Sequence, residues 1–234
     1  LTLDNAGSPL RGTDVLLAAT QNLTLAAGSS LLQTGSQSSA DAFVLGGNGA
    51  FVRVSGVTGA QTSRSGVTAS ALPSLNIGAN AMIAGSTVTL DSTNATSLDL
   101  TTQLTASAIQ LNSGRISIQL SNPGALQPNA GLVLGGGLLT ALQASSSLSL
   151  LSYSSIDFYG TGSFASAGAL ELHAGEIRGF NQNGGSIDLT AQSLVLDNSA
   201  LASVPGIVAA ANGSFNLTAN TITLGQNALV IDQF

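Results

Sequence analysis

One stretch of the chain is written almost twice. GSIDLTAQSLVLD occupies residues 185–197, and GSFNLTANTITLG occupies 213–225, 28 positions later. Gly185/Gly213, Ser186/Ser214, Leu189/Leu217, Thr190/Thr218, Ala191/Ala219 and Leu196/Leu224 are identical. Ile187/Phe215 and Leu194/Ile222 are apolar in both copies, and Asp188/Asn216 keeps a short polar side chain. A repeat of this length constrains the fold more than any single residue, because repeated units bury their apolar faces by stacking on one another.

Within the unit, apolar residues alternate: Ile187 and Leu189, then Leu194 and Leu196. Period two marks strands with one buried and one solvated face. The polar stretch Thr190–Ser193 reads as a break between two short strands. The same two-strand unit returns with less fidelity. Leu23, Leu25 and Leu31 form one instance, and Leu98, Leu100, Ile109 and Leu111 another. Leu148, Leu150, Ile156 and Phe158 follow, then Leu170, Leu172 and Ile177. First strands therefore begin near 148, 170, 187 and 215.

Pairs of short strands every 20–30 residues, with loops of uneven length, predict an all-β chain wound as a parallel β-solenoid of about ten coils. A sandwich needs longer strands joined by hairpins, and a propeller needs four strands per blade. Stacked coils place like residues over like, about 4.8 Å apart. A narrow aliphatic interior also accounts for an aromatic content of 4%. We read residues 1–234 as one such domain. Residues 35–72 and 121–147 break the rhythm and read as irregular coils or excursions. The first offers FVLGG and AFVRV as arms of a hairpin, and the second holds Pro123 and Pro128, which cannot donate ladder hydrogen bonds.

Charge is scarce. Charged residues make up 7% of the chain, against about 25% in an average soluble domain. There is no lysine, the five arginines are scattered, and the net charge is −6. Nucleic acid and anionic membrane surfaces are poor partners for such a chain. The longest apolar stretch, residues 200–211, carries a Pro-Gly and is too short to span a bilayer. Cysteine is absent, which removes disulfides and thiolate chemistry. The opening LTLDNAG shows no signal peptide, so an exported chain would be read here as a mature piece or an internal fragment.

The pattern G-S-[apolar]-[Asp/Asn]-L-T-A, a short gap, then [apolar]-x-L resembles the repeats of filamentous haemagglutinin-type exoproteins. These are bacterial adhesins of the two-partner secretion system. The likeness covers 168–225 most clearly, then 75–160, with 35–72 the weakest. It implies a right-handed, single-stranded parallel β-helix, export through an outer-membrane secretion partner, and a place outside the cell or on the bacterial cell surface. It implies a non-enzymatic adhesive shaft for attachment or biofilm, meeting surface glycans or receptors, with no cofactor and no membrane insertion. The family's Asn-Pro-Asn-Gly element is not reproduced, since Asn122-Pro123-Gly124 lacks the second Asn. An integrin-type Arg-Gly-Asp is also missing, because Arg11-Gly12-Thr13-Asp14 contains an extra Thr.

Two other functions compete. A filament subunit would stack like subunits end to end through open solenoid edges. A polysaccharide-acting β-helix enzyme would need clustered carboxylates, and no two acidic residues are adjacent in the sequence. Binding by a shaft would fall to the excursion 35–72, where Phe51, Arg53 and Arg64 are the most individual residues. Aligned first strands put Asp99, Glu171 and Asp188 in one outward acidic column, read as a solvated face in preference to a calcium site. His173, the sole histidine, aligns with Thr190 and Thr218 and is expected to face solvent. No catalytic or metal-ligating residue is assigned.

Overall fold

A computed structural model describes residues 1–68, 71–121, 131–204 and 211–234. Pro123, Pro128 and the Asn122-Pro123-Gly124 stretch lie outside the described residues. Among the described residues the chain is all-β with one short helix, its sheets are mostly parallel, and it divides into two compact units, Leu1–Asn112 and Ser113–Phe234.

The first unit begins with β1 (Thr2–Leu3), β2 (Leu10–Gly12), β3 (Asp14–Ala19), β4 (Asn22–Leu25) and β5 (Ser30–Gln33). β6 (Phe43–Gly46), β7 (Ala50–Ser55) and β8 (Thr62–Ser65) follow. It continues through β9 (Ser74–Ile77), β10 (Met82–Ala84), β11 (Thr87–Ser92), β12 (Ala95–Leu98), β13 (Gln103–Thr105) and β14 (Ala108–Ser113). These strands are dealt in rotation to three sheets. β1, β4, β9 and β12 lie side by side, as do β2, β5, β10 and β13, and as do β3, β7, β11 and β14. Strand-to-strand stacking aligns apolar residues into columns such as Leu23 on Leu75, Leu31 on Ile83, and Leu90 on Leu111. All six of these side chains are fully buried. Each contributes about 1.5–3 kcal/mol relative to exposure. Leu100, expected inside, sits in the turn after β12 and is 84% exposed.

The excursion 35–72 is not a hairpin. β6 pairs in parallel with β8, and β7 runs antiparallel between β3 and β11. Leaving β5, the chain passes outward through β6 and turns at Gly47–Gly49. It enters the sheet from the opposite end, so β7 is the reversed strand in an otherwise parallel set. Gly49 is required at that entry, because a Cβ there would strike the carbonyl oxygen of Ala19. Every residue of β7 is buried. Val52 and Val54 join the aliphatic columns, while Phe51, Arg53 and Ser55 occupy the other face.

The second unit contains β15 (Ile116–Gln119), β16 (Leu132–Gly135), α1 (Gly136–Gln143), β17 (Ser147–Ser152), β18 (Ser155–Tyr159) and β19 (Gly162–Ala165). β20 (Ala169–His173), β21 (Glu176–Phe180), β22 (Ser186–Asp197), β23 (Ser214–Leu224) and β24 (Val230–Asp232) complete it. β16, β15, β18, β21 and β24 form one parallel sheet. β17, β20 and β22 form a second parallel run, with β23 on the far side of β22. In the described part of 121–147, expected as an irregular coil or an excursion, α1 buries Leu139 and Leu142.

The two copies of the repeat are neighbours. β22 and β23 pair in parallel, with Ile187 on Phe215, Leu189 on Leu217, Thr190 on Thr218 and Leu196 on Leu224. The register read from identical letters is the register of the sheet. The polar break, however, does not interrupt the strand. β22 runs unbroken over twelve residues, with Ala191 buried before the inward alternation shifts phase to Leu194 and Leu196. Its first half pairs with β19 and its second half with β20. Leu170 therefore stacks on Leu194, not on Ile187. β19 takes the place that the sequence alignment gave to β20.

Candidate functional site

Scattered in sequence, several of the charges are paired in space. In the first unit two arginines join the excursion to the sheet. The Arg53 guanidinium donates from Nε and Nη2 to both oxygens of Asp14, at 2.9 and 2.5 Å. It also donates to the carbonyls of Gln61 and Asp41 and to Thr62 Oγ1, at 2.8, 2.9 and 3.0 Å. Its Cζ lies 4.5 Å from the Phe43 ring centre. All five N–H donors are thus occupied, which is what allows a guanidinium to sit 1% exposed. Arg64 donates from Nε and Nη2 to Asp91 Oδ1, at 2.9 and 2.6 Å, and from Nη1 to the Gly47 carbonyl. Asn112 Nδ2 donates to the other oxygen of Asp91.

Phe51, Arg53 and Arg64 are therefore not a binding surface. Phe51 is fully buried, Arg53 nearly so, and the Arg64 side chain is 3% exposed. Their individuality in the sequence reflects the clamp beneath the excursion. The signal was present in AFVRVS, where an arginine between two valines cannot face the aliphatic interior and must find a carboxylate on the other side. Asp14, the last residue of Arg11-Gly12-Thr13-Asp14, is that carboxylate. The excursion presents to solvent Gly35–Ser39 and Asp41–Val44, with Val44 69% exposed, and also positions such as Ser63, Ser65, Gly66 and Leu72.

The second unit carries two charged groups on either side of a tight corner, Ala174-Gly175, between β20 and β21. On β21, Arg178 donates from Nε and Nη2 to both oxygens of Asp157, at 2.9 and 2.8 Å, and from Nη2 to Ser155 Oγ. Glu176 lies 3.4 Å from Arg178 Nε, and Arg115 lies 3.6 Å from Asp157. Burial pushes the Glu176 carboxyl above its ordinary range, and nearby Asp232 adds to the rise, while Arg178 opposes it. Burial likewise raises Tyr159, which stacks on Phe180 at 5.0 Å.

On β20, His173 bridges two carboxylates. Its Nδ1 lies 2.6 Å from Asp197 Oδ1 and its Nε2 3.4 Å from Glu171 Oε2. The ring is 12% exposed, so the expectation of a solvent-facing histidine is corrected. The register is the reason: His173 stacks on Asp197 instead of Thr190. Burial favours the neutral ring, yet the hydrogen bonds and charges of Glu171 and Asp197 outweigh it and raise the pKa above 6.5. Glu171 is lowered, first by its hydrogen bond with His173. Asp197 feels burial most, but bonds with His173 and the Ser199 N–H bring it down as well. With both ring nitrogens engaged by carboxylates, this arrangement holds a proton; it does not present a base to a nucleophile.

The acidic column is also dissolved. Glu171 stacks between Ser149 and Val195, and Asp188 stacks between Ser163 and Asn216. Asp99 belongs to the turn after β12, where Thr101 holds its carboxylate in the ionised form through side-chain and backbone hydrogen bonds. One pairing survives from the alignment: Asn216 Nδ2 donates to Asp188 Oδ1 at 2.7 Å. Among the described residues, no group of three or more His, Cys, Asp or Glu side chains is disposed to hold a metal ion, and no helix is long and apolar enough to cross a membrane. No family model, curated protein or solved structure matches the chain.

Proposed function

We propose that the chain is a length of adhesive shaft from a secreted or cell-surface bacterial protein, similar to the filamentous haemagglutinin-type exoproteins. In this reading each unit is a run of coils of a right-handed, single-stranded parallel β-helix, about ten over the whole chain. An outer-membrane partner exports it, and no chemistry is performed on what it touches. The observation that carries the reading is the parallel, in-register stacking of β22 on β23, like residue over like, 28 positions apart. Shorter steps of 21 and 24 positions separate Asp157 from Arg178 and His173 from Asp197 on neighbouring strands. Other parallel neighbours are separated by as few as 16 and as many as 54 positions, so the loops between stacked strands vary widely in length, as a wound chain with excursions allows.

Adhesion falls to the exposed rim of the excursion, Gly35–Ser39 and Asp41–Val44, clamped from below by Arg53 and Arg64. Rigid support beneath an exposed loop lowers the ordering cost of binding. The test is adhesion of beads coated with residues 1–234 to host cells and to a glycan array. Retention that falls several-fold in a Val44→Asp chain of unchanged melting temperature is expected. Retention no greater than that of albumin-coated beads on every surface would overturn the reading. A filament subunit is the second reading, favoured by the outer edge of β23, which has no partner strand among the described residues.

A further inference from the structure

The two carboxylates that flank His173 stand at unequal distances. Asp197 Oδ1 lies 2.6 Å from Nδ1, a closed, charge-assisted hydrogen bond. Glu171 Oε2 lies 3.4 Å from Nε2. That is longer than the about 2.7–2.9 Å such a bond takes. Two ligand atoms bound to one tetrahedral ion, each at about 2.0–2.1 Å, stand about 3.3–3.4 Å from one another. The Nε2–Oε2 separation is that of two ligands sharing an ion.

Strand geometry brings the two groups together. Leu170 and Leu172 of β20 are fully buried, so the residues between and after them, Glu171 and His173, share the outer face. Their surroundings hold them in place. Asp197 fixes the ring from Nδ1, which turns Nε2 toward Glu171, and the Ser199 N–H donates to the same Asp197 oxygen at 2.9 Å. Ser149, the neighbour of Glu171 on β17, donates its hydroxyl to the Glu171 carboxylate. The sequence repeat breaks where this support is needed. Its two copies end on Asp197 and Gly225, and a Cβ at 225 would lie 2.4 Å from Asp197 Cβ and 2.9 Å from its Oδ2. The glycine leaves the carboxylate its place beside the ring. Glu171 is 40% exposed, so an ion in solution can reach the pair.

We propose that His173 Nε2 and the Glu171 carboxylate bind a divalent transition cation, Zn²⁺ or Cu²⁺, with Asp197 holding the ring from behind and water completing the coordination. Imidazole with carboxylate suits these ions, whereas Ca²⁺ takes six to eight oxygen ligands and Mg²⁺ a near-ideal octahedron. A carboxylate on the far ring nitrogen is the usual support of a metal-bound imidazole, since it fixes the tautomer and raises the basicity of the ligand. Two protein ligands are fewer than a closed structural site gathers, so the ion keeps open positions. It takes the place of the proton that the metal-free chain holds between the two groups. The assignment does not depend on the adhesive reading.

Isothermal titration of residues 1–234 with Zn²⁺ is the first test, and a single equivalent per chain is expected, with no heat from Ca²⁺ or Mg²⁺. His173→Gln should abolish the binding. Asp197→Asn, which touches the ring and not the ion, should weaken it about ten- to a hundred-fold. A second reading needs no variant, because the chain has one histidine and no cysteine. Cu²⁺ added to the unaltered chain should show the electron-spin-echo modulation of the remote nitrogen of one imidazole. Zn²⁺ binding retained in His173→Gln, unchanged affinity in Asp197→Asn, no binding at millimolar Zn²⁺, or a Cu²⁺ spectrum without imidazole modulation would each overturn the proposal.

Discussion

The excursion beneath Val44 and the repeat at β22–β23 are ordered by opposite means. In the repeat, order comes from backbone ladders and aliphatic columns, with charge almost absent. In the excursion, a reversed strand is fixed by two buried guanidinium–carboxylate pairs, Arg53–Asp14 and Arg64–Asp91. The first device is local and repetitive, so each coil specifies the next. The second is unique and long-range, joining positions 39 and 27 residues apart. A reversed strand cannot borrow its register from a neighbouring coil, and specific charge pairs supply it instead.

The sharpest way to break this contrast is to remove one member of a buried pair. Asp91→Ala strands Arg64 in a dry site and should cost the first unit about 3–5 kcal/mol. In urea denaturation, a double change of Arg64→Met with Asp91→Leu should recover part of that loss, because no buried charge is left uncompensated, although Asn112 and the Gly47 carbonyl lose a partner. A double variant as unstable as the single one would show that the pair does more than fill space. Leu189→Ala should come next, costing the second unit about 2–5 kcal/mol through the cavity left in its column. Leu224→Ala, in the same repeat but 74% exposed, should stay within about 0.5 kcal/mol.

A smaller effect separates the units by pH. The raised pKa of His173 means that its contribution is complete below 6.5 and is lost as pH rises through the folded value. Glu171 and Asp197 are lowered, so theirs is present above 4.5 and 3.8 and is lost as pH falls through the folded values. The His173 cluster should therefore contribute most between about 4.5 and 6.5, read from melting temperature against pH, while the raised Glu176 of the same unit acts in the opposite sense above 4.5. His173→Gln should flatten its alkaline limb. An unchanged limb in that variant would remove His173 from the account. The smallest expected change is Val44→Ser, on the rim of the excursion, within about 0.5 kcal/mol.

The parallel β architecture was legible wherever the repeat was faithful. Leu148, Leu150, Leu170, Leu172, Leu194 and Leu196 were all assigned to the interior and all are buried. What misled the alignment was β19, a short strand whose single buried Phe164 gave no alternation to detect. Inserting it displaced β20 along β22, and that one displacement undid the acidic column and moved His173 from solvent to the side of Asp197. The reversal of β7 was hidden for a different reason. AFVRVS alternates identically in either chain direction, and direction is set by the partners of Arg53 and Arg64, which no local pattern announces.

The central claim is that identical letters 28 positions apart are lateral neighbours in a parallel sheet. It is tested most directly by a disulfide between Thr190→Cys and Thr218→Cys, two exposed, directly paired positions in a chain free of other cysteines. Directly stacked residues lie about 4.8 Å apart, within disulfide reach. A control pair of Thr190→Cys with Asn216→Cys is offset along the strand to about 8 Å. The account predicts rapid, near-complete oxidation within single chains for the first pair and little for the second. Equal oxidation of both, or preference for the control, would contradict it.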